Sequence, residues 1–303
     1  MHDYPERNLI GYGANPPDPQ WPGEARIAVS FVLNYEEGGE NTILNGDPAS
    51  EVFLTETPGG APWVGERDLS TESMYEYGSR AGFWRILRLF DERGLKFTSW
   101  AVGRALELNP AAGKAMVQSG HEVASHGYRW INYKDFTLEQ ELDHMDKAVK
   151  AITAATGVAP VGWYTGRFGK HTFAAVMRHG GFLYSSDSYS DDLPYWVRVE
   201  GQPLLVIPYT LEVNDMKFAV PPGFGMADGW LQAMKDSFDL LYAEGARHPK
   251  MMSVGIHCRL GGRPSRAMTL ARFLDYVLSK PKVWVATRRQ IAEHWKKVHP
   301  AHA

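Results

Sequence analysis

The sequence predicts an α/β protein built on a mainly parallel sheet closed as a TIM-like barrel. Three observations predict it. Short apolar runs alternate with helical segments along the whole chain, about eight such units match the size of a barrel, and no Gly-rich dinucleotide loop follows the first strand. The 303 residues, 44% hydrophobic and 12% aromatic, can bury one full core, so a single domain spanning 1–303 is expected.

The first 25 positions, rich in Pro, Gly and polar residues, read as an extended arm. The run RIAVSFVL from Arg26 is almost wholly β-branched or aromatic, as in a parallel strand covered on both faces. Comparable runs are KFTSWAV from Lys96, EVASH from Glu122, VGWY from Val161, FLYSS from Phe182, LLVIP from Leu204, MMSVGIH from Met251 and VWVA from Val283. Between them lie segments of helical period that stop at Gly94, Gly120 and Gly157. The last of these begins with Thr137 followed by Gln140, the spacing of a capping box. The stretch 38–77 has little periodicity. A connection of that length inside a compact domain serves as a lid, a binding loop or an oligomer contact.

Lys and Arg number 32 against 35 Asp and Glu, so nothing marks the chain for nucleic acid or an anionic membrane, and a small-molecule partner is expected. The N-terminal positions lack the apolar core of a signal peptide, and no run of ~18 apolar residues occurs. A cytoplasmic location is the resulting expectation. The single cysteine, Cys258, agrees with a reducing compartment.

In α/β barrels the chemistry sits where strands end and βα loops begin. This chain places Asn34-Tyr35-Glu36-Glu37-Gly38 after its first strand, His126-Gly127-Tyr128-Arg129-Trp130 after EVAS, Tyr164-Thr165-Gly166-Arg167 after the fourth strand, and His257-Cys258-Arg259 at the end of the strand from Met251. Several strand ends thus deliver acid, base and cation to one rim. Only one of the adjacent Glu36 and Glu37 can face the barrel axis while strand alternation lasts. Two carboxylates held close would raise one pKa, as in a base or acid useful near neutrality, and a solvated acidic turn is the alternative. His126 and His257 each close a strand, as catalysts or as satisfied structural groups. His121 and His126 are five apart in a strand-like run, which excludes the metal-binding helix whose histidines are four apart.

Cys258 would face away from the interior if His257 faces in, and reads as a packed core thiol. Arg167 could stabilise negative charge on a carbonyl oxygen or pair with an acid. Asp187, Asp191 and Asp192 could be ligands, orienting groups or turn formers. The same segment ends in Tyr195 and Trp196, suited to walling a flat polar ring or to core packing.

The order Glu36-Glu37-Gly38, His126, the Arg167 region and His257 resembles the polysaccharide-deacetylase superfamily from Arg26 onward. That resemblance implies a distorted (β/α)7 barrel. Its members usually carry paired aspartates and a His-x-x-x-His pair; the first Asp is a base, and the second Asp and both His hold a divalent metal. Here glutamates replace the aspartates and Trp130 stands four after His126, so no tightly held metal and no other cofactor is expected. The strings FVLNYEEGGE, ASHGYRW, GWYTGR, SSDSYSDDLPYW and GIHCRLGGRP resemble the metal-independent allantoinase branch. That likeness implies hydrolysis of the hydantoin ring of allantoin to allantoate, and a homotetramer.

Carried over, Glu36 takes the base position and Glu37 would orient the water or the ring N–H groups, although which of the two is the base stays open. His126 and Arg167 would polarise the carbonyl, His257 would protonate the departing nitrogen, and Trp130, Tyr164, Asp187 and Trp196 would contact the substrate. A metal-dependent deacetylase of N-acetylated sugars is the first alternative. An inactive barrel that binds ligand is the second.

Overall fold

The computed structural model describes residues 7–57 and 59–301. Residues 1–6 of the expected arm and Pro58 of the 38–77 stretch lie outside the described residues. In chain order the strands are β1 (Ile27–Tyr35), β2 (Thr98–Ala101), β3 (Glu122–Ser125), β4 (Gly162–Trp163), β5 (Tyr184–Ser185), β6 (Tyr195–Val199), β7 (Gln202–Val206), β8 (Lys250–His257) and β9 (Val283–Val285). The α-helices are α1 (Leu69–Tyr77), α2 (Phe83–Asp91), α3 (Gly103–Leu108), α4 (Pro110–Gln118), α5 (Leu138–Thr156), α6 (Thr172–His179), α7 (Ala227–Glu244), α8 (Pro264–Leu278) and α9 (Arg288–Val298).

One sheet runs β6-β7-β5-β4-β3-β2-β1-β8, parallel except for β6, which returns antiparallel on β7. β1 is its axis. It pairs with β8 from Ile27 to Asn34, while its other edge is shared between β9 at Ile27–Val29 and β2 at Val32–Tyr35. All nine residues of β1 are buried, and their alternation sorts them. Phe31, Leu33 and Tyr35 pack outward with Phe83, Phe90 and Phe273 of the helical layer, whereas Ala28 and Val32 pack inward with Trp100, Tyr164 and Tyr184. Seven of the parallel strands, β8-β1-β2-β3-β4-β5-β7, make the distorted barrel that the family resemblance implies, and β9 lies parallel beside the start of β1.

No backbone pairing joins β7 to β8 among the described residues. A side chain bridges that seam instead. The buried guanidinium of Arg288 donates to Ser186 Oγ at 3.1 Å, to Ser253 Oγ of β8 at 2.9 Å, and to the Ile207 and Pro208 carbonyls just past β7, both at 2.6 Å.

All eight predicted runs contain a strand, and the capping box forms: Thr137 Oγ accepts from Gln140 N at 3.3 Å, and Gln140 Oε1 from Thr137 N at 2.8 Å. Two elements differ from expectation. β6 is not among the predicted runs, because YWVRV sits on the sheet edge with only Val199 buried. The 38–77 stretch ends in helix α1, whose N-terminus is capped by Asp68. Five residues of π-helix, Gly78–Gly82, then join α1 to α2. That junction presses on the end of β8: a Cβ on Gly82 would lie 1.9 Å from the Cys258 carbonyl oxygen. Among the described residues no helix is long and apolar enough to cross a membrane.

Candidate active site

Glu36, the first residue past β1, continues the alternation of that strand and faces inward. His126 follows β3 and His257 ends β8, so both reach the same carboxylate: His126 Nε2 lies 3.2 Å and His257 Nε2 3.5 Å from Glu36 Oε1. Arg259 Nη1 donates to Glu36 Oε2 at 2.6 Å. The cluster is closed off from water, with Glu36 and Arg259 each 1% exposed, His126 3% and His257 4%.

Burial alone would raise the Glu36 carboxyl, but Arg259, His257 and His126 together hold it well below the usual carboxylate range. His257 has an anchoring partner that the sequence reading missed. Its Nδ1 donates to Asp215 Oδ1 at 2.6 Å, while its backbone N–H donates to Asp215 Oδ2 at 2.8 Å. Burial opposes charge on the ring, yet the carboxylates of Glu36 and Asp215 outweigh it and lift His257 to about 9. His126 Nδ1 lies 3.2 Å from the Tyr164 carbonyl, an oxygen that can only accept, which fixes a hydrogen on that nitrogen.

Glu37 does not join this cluster. It turns outward, as alternation requires, with Oε2 accepting from Glu36 N at 3.0 Å and Oε1 left without a hydrogen-bond partner beside Gly78 and the Arg259 backbone. Arg259 Nη1 is 3.9 Å away. Burial chiefly, and the neighbouring Glu36 in addition, push Glu37 up to about 7 against the pull of Arg259. Behind Arg259, it is not placed to orient a water at Glu36.

The 38–77 stretch forms the cover. The Leu54 carbonyl accepts from Arg259 Nε at 3.1 Å, Phe53 stacks on Trp130 at 5.9 Å, and the Gly39 and Glu40 carbonyls accept from Arg129 at 3.0 and 2.9 Å. Trp130 lies under two guanidiniums, that of Arg167 at 4.0 Å from the ring centre and that of Arg259 at 5.0 Å. Arg167 Nη1 is 3.6 Å from Glu51, and its buried Nη2 has no partner. Tyr164 stands beside His126, ring centres 5.1 Å apart.

Asp187 accepts from Thr165 N and Gly166 N, both at 2.9 Å, and so fixes the loop that carries Arg167; burial lifts its carboxyl to about 6. Trp196 is not brought to the cluster: it lies on the edge strand β6, its indole N–H donating to the His299 carbonyl at 2.8 Å. Cys258 faces the helical layer as expected, fully buried, its Sγ 3.5 Å from the Asn34 carbonyl.

Asp215 escaped the sequence reading because it stands in a short 3-10 turn, Asp215–Phe218, rather than at a strand end. Arg259 was visible two positions after His257, but nothing local shows that it reaches across to Glu36.

Fold and site together define an α/β-barrel hydrolase with acid and base groups at the carboxyl ends of its strands. The chain belongs to the polysaccharide deacetylase family. The family model described as polysaccharide deacetylase matches residues 68–180. A Schizosaccharomyces pombe protein provisionally named a polysaccharide deacetylase is 47% identical, the match covering 98% of this chain and 99% of that one. A crystal structure described as Puue allantoinase superposes with a TM-score of 0.96 at 55% identity over 99% of this chain and 100% of its own. A second, from Pseudomonas aeruginosa PAO1 and provisionally described as a polysaccharide deacetylase, does so with the same score and identity over 98% and 99%.

The divalent ion that the family resemblance implies does not fit these residues. Among the described residues no group of three or more His, Cys, Asp or Glu side chains is arranged to hold a metal ion, Trp130 stands where a second histidine would, and the cation on Glu36 is the guanidinium of Arg259.

Proposed function

We propose that this chain hydrolyses a ring amide, opening the hydantoin of allantoin to allantoate in purine degradation without a metal. One observation carries the reading. Glu36 is set between two histidines and held by an arginine, in a chain 55% identical over nearly its whole length to a structure described as an allantoinase. In this scheme Glu36, ionised across the working pH range, takes a proton from the attacking water. His257, kept protonated by Asp215 and Glu36, gives its Nε2 proton to the departing ring nitrogen. Arg167 and Trp130 form the wall against which the flat ring lies.

The test is an assay of purified, EDTA-treated protein with allantoin, following allantoate. Turnover equal to that of the untreated protein is expected, and strong chelator sensitivity defeats the metal-free scheme. A metal-dependent deacetylase of N-acetylated sugars is the second reading, favoured by the names of the Schizosaccharomyces and Pseudomonas relatives; it requires release of acetate and a bound ion. The homotetramer belongs to the same proposal and is checked by sedimentation of the purified protein.

A further inference from the structure

Arg259 is a peculiar residue to find at the bottom of this site. Its guanidinium is 1% exposed, it lies 4.2 Å from the centre of the Tyr75 ring and 5.0 Å from that of Trp130, and two of its three nitrogens are engaged, Nε with the Leu54 carbonyl and Nη1 with Glu36. The third, Nη2, is buried without a partner. A charged donor left unsatisfied in a dry site costs stability unless something else binds it, and a fork of this kind suits a planar oxygen ligand.

We propose that Arg259 is the resident cation of the reaction: its Nη1–H holds Glu36 while its Nη2–H binds the oxygen of the carbonyl under attack. This rests on the amide-hydrolysis reading above and adds the residue that supplies electrophilic assistance there. As the water oxygen bonds to the carbonyl carbon, Glu36 takes the water proton and the carbonyl π pair moves onto oxygen, facing Nη2–H. On collapse that pair returns, the C–N bond breaks, and the nitrogen takes the proton of His257 Nε2. The proton on Glu36 then passes to His257 across the 3.5 Å between them, which restores both groups. A fixed guanidinium in a water-excluded pit stabilises an oxyanion without solvent reorganisation.

The experiment is steady-state kinetics of wild type, Arg259→Lys and Arg259→Ala, each first checked for folding by circular dichroism. Both allantoin and an N-acetylglucosamine oligomer are tried, and the variants are measured on whichever the wild type turns over. Because the lysine ammonium is a point donor that cannot span Glu36 and the carbonyl oxygen together, kcat of Arg259→Lys is expected to fall ~100-fold with KM within a few-fold. Folded Arg259→Ala is expected to fall ~1000-fold and to regain at least tenfold of that in guanidinium chloride but not in equimolar sodium chloride.

A Lys variant within tenfold of wild-type kcat, or a loss confined to KM, overturns the role of Arg259 and leaves the allantoin reading standing. An Ala variant that folds and ignores guanidinium overturns it as well. Should the wild type release acetate only when loaded with zinc, the allantoin reading fails and Arg259 loses its part to the ion. Silence toward both substrates overturns the two together.

Discussion

Asp215 holds His257 at two points, through the ring Nδ1 at 2.6 Å and through the backbone N–H at 2.8 Å, so the turn after β7 and the end of β8 are tied together at the candidate site. Replacing Asp215 by Asn keeps the size but removes the charge. We expect kcat to drop by about 100-fold or more while KM changes little. Loss of one of the two carboxylates that raise His257 is also expected to move the alkaline limb of the rate profile, expected near pH 9 in the wild type, toward lower pH. A pH–rate series on both proteins checks this; an unmoved alkaline limb would show that His257 is not the group that titrates there.

Glu36→Gln is expected to abolish activity and also leaves Arg259 with a neutral partner. Removing one member of a buried pair costs about 3–5 kcal/mol, and the retained amide oxygen reduces that figure without cancelling it. Urea denaturation beside the activity assay measures both effects. A variant as stable as wild type would mean that the Glu36–Arg259 contact contributes little to the fold.

Glu37 makes folding depend on pH in the direction opposite to an ordinary ion-paired carboxylate. Burial lifts it from 4.5 to about 7 in the folded chain, so between those values the folded state binds more protons than the unfolded one and stability falls as pH rises. Glu37→Gln removes that slope, with a gain over wild type of up to about 3 kcal/mol above pH 7. Denaturation midpoints at pH 5, 6, 7 and 8 decide it, parallel curves for the two proteins being the contrary result.

Arg288 closes the seam between β7 and β8 with four hydrogen bonds inside the barrel. Arg288→Met fills much of the volume but leaves two carbonyls and two hydroxyls unsatisfied, an expected loss of about 3 kcal/mol or more. Thermal unfolding measures it, and a melting temperature within a degree of wild type would remove Arg288 as the closure.

Gly82→Ala drives a methyl group into the Cys258 carbonyl, which is backbone rather than the end of a flexible side chain. Overpacking of this kind costs about 1–3 kcal/mol or more, and it displaces the β8 end that carries His257 and Arg259. Reduced yield with lowered kcat is expected, and normal values for both would mean the junction gives way easily.

Much of this architecture was legible in the chain because it is local. The β1 run is apolar at every position from Ile27 to Leu33 except Ser30, as a strand covered on both faces must be, and Thr137 and Gln140 announce the start of α5 by their own chemistry. Glu36, His126 and His257 were found because strand ends in a barrel share one rim. What stayed hidden depends on long-range placement. The cover is held by the carbonyls of Gly39, Glu40 and Leu54, groups every residue possesses, and Asp215 sits in a turn with no period to mark it. The outward turn of Glu37 follows from the alternation that let only one of the pair face in. Trp196 was drawn into the expected site by its neighbours in sequence, whereas in space it belongs to an edge strand.

The lone sulfhydryl of Cys258 lies fully buried under the Asn34 carbonyl, between His257 and Arg259 in sequence, and burial holds its pKa well above the ordinary thiol value. A disulfide reagent such as Ellman's can therefore modify only those molecules whose β8 terminus has come loose, one event per chain. The rate of yellow colour in a cuvette becomes a clock for opening of the floor of the candidate site, readable without substrate and without any engineered label.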